Sequence, residues 1–171
     1  MNISDIEMAL RNYKANQVRV SACKVEIEYL EKKIGKAEES AIEMSVNISP
    51  NTSGMPHGSS VGDPVGMLAQ RVADGAVPII AEMKERLKKA KDELCDAEYK
   101  IRTVDTWMEC LTEYEEFVIH RKYVDAAEWT WAILSEEFNK KFGHWRGKKA
   151  LQRLEQNAMA NILSIAKNSW K

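Results

Sequence analysis

Apolar residues recur at alternating steps of three and four from Ile80 onward, through Met83, Leu87, Ala90, Leu94, Ala97, Ile101, Val104, Met108 and Leu111. That spacing predicts a long helix carrying a coiled-coil seam. An earlier arm repeats it through Ile6, Ala9, Tyr13, Asn16, Val20, Cys23, Ile27, Leu30, Ile34, Ala37, Ala41 and Met44, with Asn16 as the polar break. A polar residue at one seam position costs stability and specifies register or oligomer state, the role expected of Asn16. Ser4 with Glu7 has the spacing of a capping box that would start this first helix.

Between the arms, residues 45–63 lose all helical period and gather Pro50, Gly54, Pro56, Gly58 and Gly62, which predicts a flexible loop. Asp63 can cap the next helix and Pro64 can take its first position, where a missing N–H costs nothing. Two arms joined in this way fit an antiparallel hairpin. Parallel pairing between subunits would use the same seams. His57 in SGMPHGSSVGDP has no second imidazole, cysteine or nucleophile near it, and the glycines lack the GKS or GKT ending of a phosphate cradle.

The seam ends at Leu111, where Thr112 and Glu115 form a second capping box and the chain restarts. Three shorter helical patterns come next. The first turns Val118, Ile119 and Tyr123 towards a core. The second is expected to start at Asp125 with Glu128, to bury Trp129, Ile133 and Phe138, and to stop at Gly143. The third runs from about His144 to Ala166. At ~100 degrees per residue, Gly147, Leu151, Leu154 and Ala158 share its inner stripe, with Gly147 expected as a close-packing residue. Trp145, Lys149, Gln152 and Gln156 lie roughly opposite, flanked by Arg146, Lys148 and Arg153.

The reading is therefore all-α, with helical arms over residues 1–111 and a smaller helical domain over 112–171. Composition refines it. The net charge of -1 over 171 residues names no partner, but Lys140, Lys141, Arg146, Lys148, Lys149 and Arg153 occupy a stretch without any acidic residue. Long cationic and amide side chains on one helix face are the types that reach phosphates and base edges. A solvated basic face beside Glu113, Glu115, Glu116, Glu136 and Glu137 is the plainer alternative. The three cysteines form no CxxC pair and are expected as reduced thiols in helical cores, and the three histidines are isolated, so neither a metal, a cofactor nor a catalytic site is expected. The N-terminus lacks a signal-peptide pattern and no stretch approaches ~18 apolar residues, so a soluble, cytoplasmic protein without a membrane partner is expected. Glu85 with Lys88 and Lys89 reads as helix-surface support.

The segment LTEYEEFVIHRKYVDAAEWTWAILSEEF, followed by KKALQRL, resembles the region-4 DNA-binding domain of bacterial sigma factors and the sigma-like phage regulators of the ArpU and RinA kind. The resemblance rests on Leu111, Glu115, Val118 and Ile119, then Trp129 and Ile133, then Ala150, Leu151 and Leu154. It departs at Leu134 and at HWRG, residues 144–147, where such proteins have a small residue and a Ser/Thr-rich lead-in to the recognition helix. It implies a helix-turn-helix on double-stranded DNA near late promoters of a phage or prophage, acting with bacterial RNA polymerase. In that reading Lys149, Gln152 and Arg146 contact bases, and Lys140, Lys141, Lys148 and Arg153 contact phosphates. The long arms would mediate homo-oligomer formation. A phage small terminase subunit binding packaging-site DNA and a coiled-coil adaptor without DNA are the alternatives.

Overall fold

The computed structural model describes residues 2–46, 64–125 and 129–168, with side chains described at 2–40, 77–125 and 129–167. The chain is all-α. Its elements are α1 (Ile3–Arg11), α2 (Tyr13–Val46), α3 (Pro64–Glu109), α4 (Glu113–Ile119), a π-helical turn (His120–Val124), α5 (Trp131–Phe142) and α6 (Lys148–Asn168). Among the described residues no helix is long and apolar enough to cross a membrane. Pro64 stands at the first position of α3, while Asp63, His57 and most of the loop between the arms lie outside the described residues.

The chain divides into two compact units, one of residues 22–94 and one that joins residues 1–21 to residues 95–171. In the first, the seams close on Cys23, Leu30 and Ile34 of α2 and Met83 and Ala90 of α3, all buried. Glu31 pairs with Lys91 at 2.8 Å and Glu38 with Lys84 at 2.7 Å. Rising numbers on α2 meet falling numbers on α3, so the two segments run antiparallel within one chain. These pairs are half exposed and each adds only about 0–1 kcal/mol, which leaves the apolar seam as the main cohesion.

The other unit begins with a correction to the first helix. Asn2, not Ser4, is the cap: its Oδ1 accepts from the Asp5 N–H at 2.9 Å, and the Asp5 carboxylate accepts from the Asn2 N–H at 2.8 Å. A cap two residues earlier places Ser4 inside the first turn. The expected continuous arm also breaks at Asn12, which ends α1 before α2 starts. The break takes Ile6 out of the arm's seam and, with Leu10, which lies off that seam, into a core with Val104, Trp107, Ile119, Tyr123, Val124, Ala158, Met159 and Ile162. The residue 111/112 division drawn from the end of the seam falls inside this unit. Cys95 and Cys110 are exposed, contrary to the expected core placement: Cys95 lies between the seam positions Leu94 and Ala97, and Cys110 lies in the turn after α3.

A smaller core gathers Phe117, Val118, Leu134, Phe138 and Leu151. Val118, Ile119 and Tyr123 face inward as their spacing predicts, but α5 is rotated from its expected register. Leu134 and Phe138 are buried, whereas Ile133 is 47% exposed. α5 starts later than expected, with Thr130 Oγ1 capping it by accepting from the Ile133 N–H, and Leu134 and Phe138, one turn apart, are the residues that pack on Phe117, Val118 and Leu151. Asp125 instead closes the π-helical turn, and its expected partner Glu128 lies outside the described residues. Phe138→Ala should then cost about 3–5 kcal/mol, and Ile133→Ala within about 0.5 kcal/mol of nothing, in chemical denaturation. Equal losses would show that the expected register was right.

Candidate nucleic-acid interface

The basic residues fall on three adjoining pieces of the 1–21/95–171 unit: the last turn of α5, the connection 143–147 and the first turns of α6. Thr112 sets up this region, because its hydroxyl and backbone N–H are held by the Glu115 carboxylate at 2.8 and 3.0 Å. Glu115 is thereby buried, which removes it from the acidic surface expected around α4. α5 ends at Gly143, whose φ of 69° is the left-handed conformation that glycine adopts without a Cβ penalty.

The connection beyond Gly143 is tied back to α5 at one residue. The Arg146 N–H donates to Asn139 Oδ1 at 2.7 Å, and the Arg146 carbonyl accepts from Ser135 Oγ at 2.5 Å. Ser135 and Asn139 are one helical turn apart, so one face of α5 grips both sides of a single residue. The Arg146 guanidinium lies over the Tyr114 and Phe138 rings, 5.0 and 5.8 Å from their centroids. Arg146 is thus half-buried and anchors the connection. Beside it Trp145 is 83% exposed.

α6 starts at Lys148 rather than His144, which changes the meaning of Gly147. It is exposed, and a Cβ there would meet nothing within 4 Å, so it does not pack closely. Preceding the helix, it lies off the inner stripe that Leu151, Ala158, Met159, Ile162 and Ala166 form. Its carbonyl accepts from the Ala150 N–H at 2.9 Å, but it has no side chain with which to cap the helix.

The cationic residues divide by surroundings. Lys148, Lys149 and Arg153 are exposed, and none forms an ion pair with a described carboxylate; Gln152 is half-buried beside them. Lys140 is largely exposed and reaches Glu137 only at 3.9 Å. Lys141 sits 3.7 Å from Glu113 and over the Phe142 and Phe117 rings. Both of these lysines suit the negative end of α5. Lys148 and Lys149 do not have that excuse, since they stand at the positive end of α6, whose first turn holds no acidic residue.

No protein-family model matches the chain, and no curated protein or solved structure matches it either.

Away from this face, Asn16 is half-buried and lines an open cavity of about 580 Å³ with Asp5, Asn12, Arg19 and Lys100. Among the described residues no group of three or more His, Cys, Asp and Glu is placed to hold a metal. His120 instead stands 3.6 Å from Asp125, which also receives Arg121 at 2.8 Å and Lys14 at 3.2 Å. Burial pushes the Asp125 carboxyl up, but the bonds from Arg121 and Lys14 with the charges of His120 and Arg121 outweigh it and hold the group below its usual range. A folded-state pKa below the unfolded one stabilises the fold above the unfolded value and is lost as pH falls through the folded one. Asp125→Asn should lower the urea midpoint at neutral pH, with the deficit shrinking as the pH drops below about 4. A deficit of unchanged size in acid would contradict this linkage.

Proposed function

We propose that this chain is a non-enzymatic, sequence-specific DNA-binding regulator of phage or prophage transcription, with α5 and α6 serving as a helix-turn-helix that acts beside bacterial RNA polymerase at late genes. The observation that carries the reading is the start of α6. Gly147 supplies no side-chain cap, and Lys148 and Lys149 place positive charge where the helix macrodipole already is positive. The two lysines weaken the isolated helix, and Gly147, a tolerated cap, forgoes a side-chain acceptor there and leaves the helix end open to a ligand. Departures from local consistency of this kind mark functional sites, and both become favourable once a phosphate lies at the helix end.

In this reading Lys148, Lys149 and Arg153 meet the duplex first, with Lys140 and Lys141 at its flank. Gln152 and Lys149 are the proposed base contacts, and Arg146 combines anchoring with a contact at the groove edge. The exposed Val25 and Tyr29, four residues apart on α2, support self-association of the arms, as does the half-buried Asn16. A dimer in solution mass measurement fits a regulator of this kind, whereas a closed ring would transfer the DNA-binding face to the packaging reading.

Lys149→Ala with Gln152→Ala should cost ~1 to 3 kcal/mol on the preferred site and relax specificity there, while Lys148→Ala should reduce the slope of log affinity against log salt by about 1. Unchanged affinity and specificity in the double variant would remove α6 as the recognition helix. Gly147→Asp makes a sharper test, because the new carboxylate has room, caps α6 and faces its dipole. It should raise stability by a few tenths of a kcal/mol up to about 1 kcal/mol and at the same time weaken DNA binding. Thermal melting and duplex titration of this one variant should move in opposite directions.

A further inference from the structure

We infer that Trp145 is a contact residue for duplex DNA, its indole lying against the deoxyribose and base edges of the strand whose phosphates approach Lys148 and Lys149. This rests on the DNA-binding reading above and extends it to a residue with no cationic or amide group. The ring is 83% exposed, yet the backbone beside it is held twice, by Asn139 Oδ1 at 2.7 Å and Ser135 Oγ at 2.5 Å on either side of Arg146. A large apolar side chain on a fixed backbone gives up little further freedom on binding, so its contact area is available as affinity.

The surroundings select the occupant. From Lys140 to Arg153 the chain has no acidic residue, and Trp145 is flanked in the connection by His144, Arg146 and Gly147. An apolar protein surface would be met by a cluster of apolar neighbours around the tryptophan. One aromatic ring among cations suits duplex DNA, whose phosphates meet the charges while sugars and the apolar edges of bases meet the ring. The position also fits, because Trp145 precedes by three residues the helix start proposed to receive phosphate.

The test uses a difference in salt response. Neutralising a phosphate contact changes the number of counterions released, whereas deleting an apolar contact does not. A fluorescein-labelled mixed-sequence duplex is titrated by anisotropy over a range of KCl with the full-length chain, Trp145→Ala, Trp145→Phe and Lys149→Ala. Trp145→Ala should weaken binding by roughly tenfold at every salt concentration with the slope unchanged, and Trp145→Phe should recover most of the loss. Lys149→Ala should instead reduce the slope by about 1. Wild-type affinity in Trp145→Ala overturns the inference and points the ring to a protein partner. A reduced slope in Trp145→Ala overturns it too, since the ring would then act only by placing the lysines. If the wild-type chain binds no duplex even at low salt, the functional reading fails first. Trp145→Ala should melt with the wild type because its ring is exposed, and Trp145→Phe keeps the comparison decisive if it does not.

Discussion

α6 is buried along one stripe against two separate cores, and the placement of every other element in its unit depends on that. Near its start Leu151 packs with Phe117, Val118, Leu134 and Phe138. Further along, Ala158, Met159, Ile162 and Ala166 pack with Ile6, Leu10, Val104, Trp107, Ile119 and Tyr123. α4 serves both, since consecutive residues Val118 and Ile119 enter different cores. Each large side chain fully buried there contributes about 1.5–3 kcal/mol relative to exposure, far more than the surface ion pairs. With two anchor points a straight helix cannot rotate about its axis, so the opposite face near its start is committed to solvent.

The polar contacts of α6 reinforce the same orientation. Its one carboxylate, Glu155, points inward, accepting from the Tyr123 hydroxyl at 2.6 Å and pairing with Lys122. Glu7 of α1 approaches the same hydroxyl at 3.5 Å. Burial first, and then the bond to Glu155, push the Tyr123 phenol well above its usual range, so it remains a donor at any ordinary pH. Turning Glu155 inward has a consequence on the outer side: Lys148, Lys149 and Arg153 have no acid on their own helix to neutralise them. A nearly neutral chain thus keeps a local positive face, and its charge is set by packing rather than by composition.

The connection between α5 and α6 shows how position is made from few parts. Gly143 ends α5 in a left-handed turn, Ser135 and Asn139 grip Arg146, and the Arg146 side chain closes over Tyr114 and Phe138. A short segment without helical hydrogen bonds is held this way without a core of its own. The residues on either side of Arg146 then point where the clamp leaves them, and that is how a tryptophan stays exposed on an otherwise folded turn.

Sequence alone determined the elements whose causes are local. The Thr112 and Glu115 box, the stop at Gly143, the inward set Val118, Ile119 and Tyr123, and the long seams of α2 and α3 each arise from contacts within a turn or from a repeat on one helix face. Tertiary structure decided whatever depended on a partner. A seam records which face is apolar but not what covers it, so only the fold shows Ile6 and Leu10 leaving their arm for the core beneath α6. Asn2 and Ser4 can both cap a helix, and the choice between them depends on where α1 must begin to bury Ile6. Packing against α4 and α6 put Leu134 rather than Ile133 in the core, and a later start of α6 turned Gly147 from a packing residue into the glycine just before the first turn. The basic residues were legible as a cluster. Their separation into anchored Arg146, ring-seated Lys141 and a set without a described carboxylate partner, Lys148, Lys149 and Arg153, was not, because it depends on which side chains from α4 and α5 come within reach, and adjacency along the chain carries no information about that.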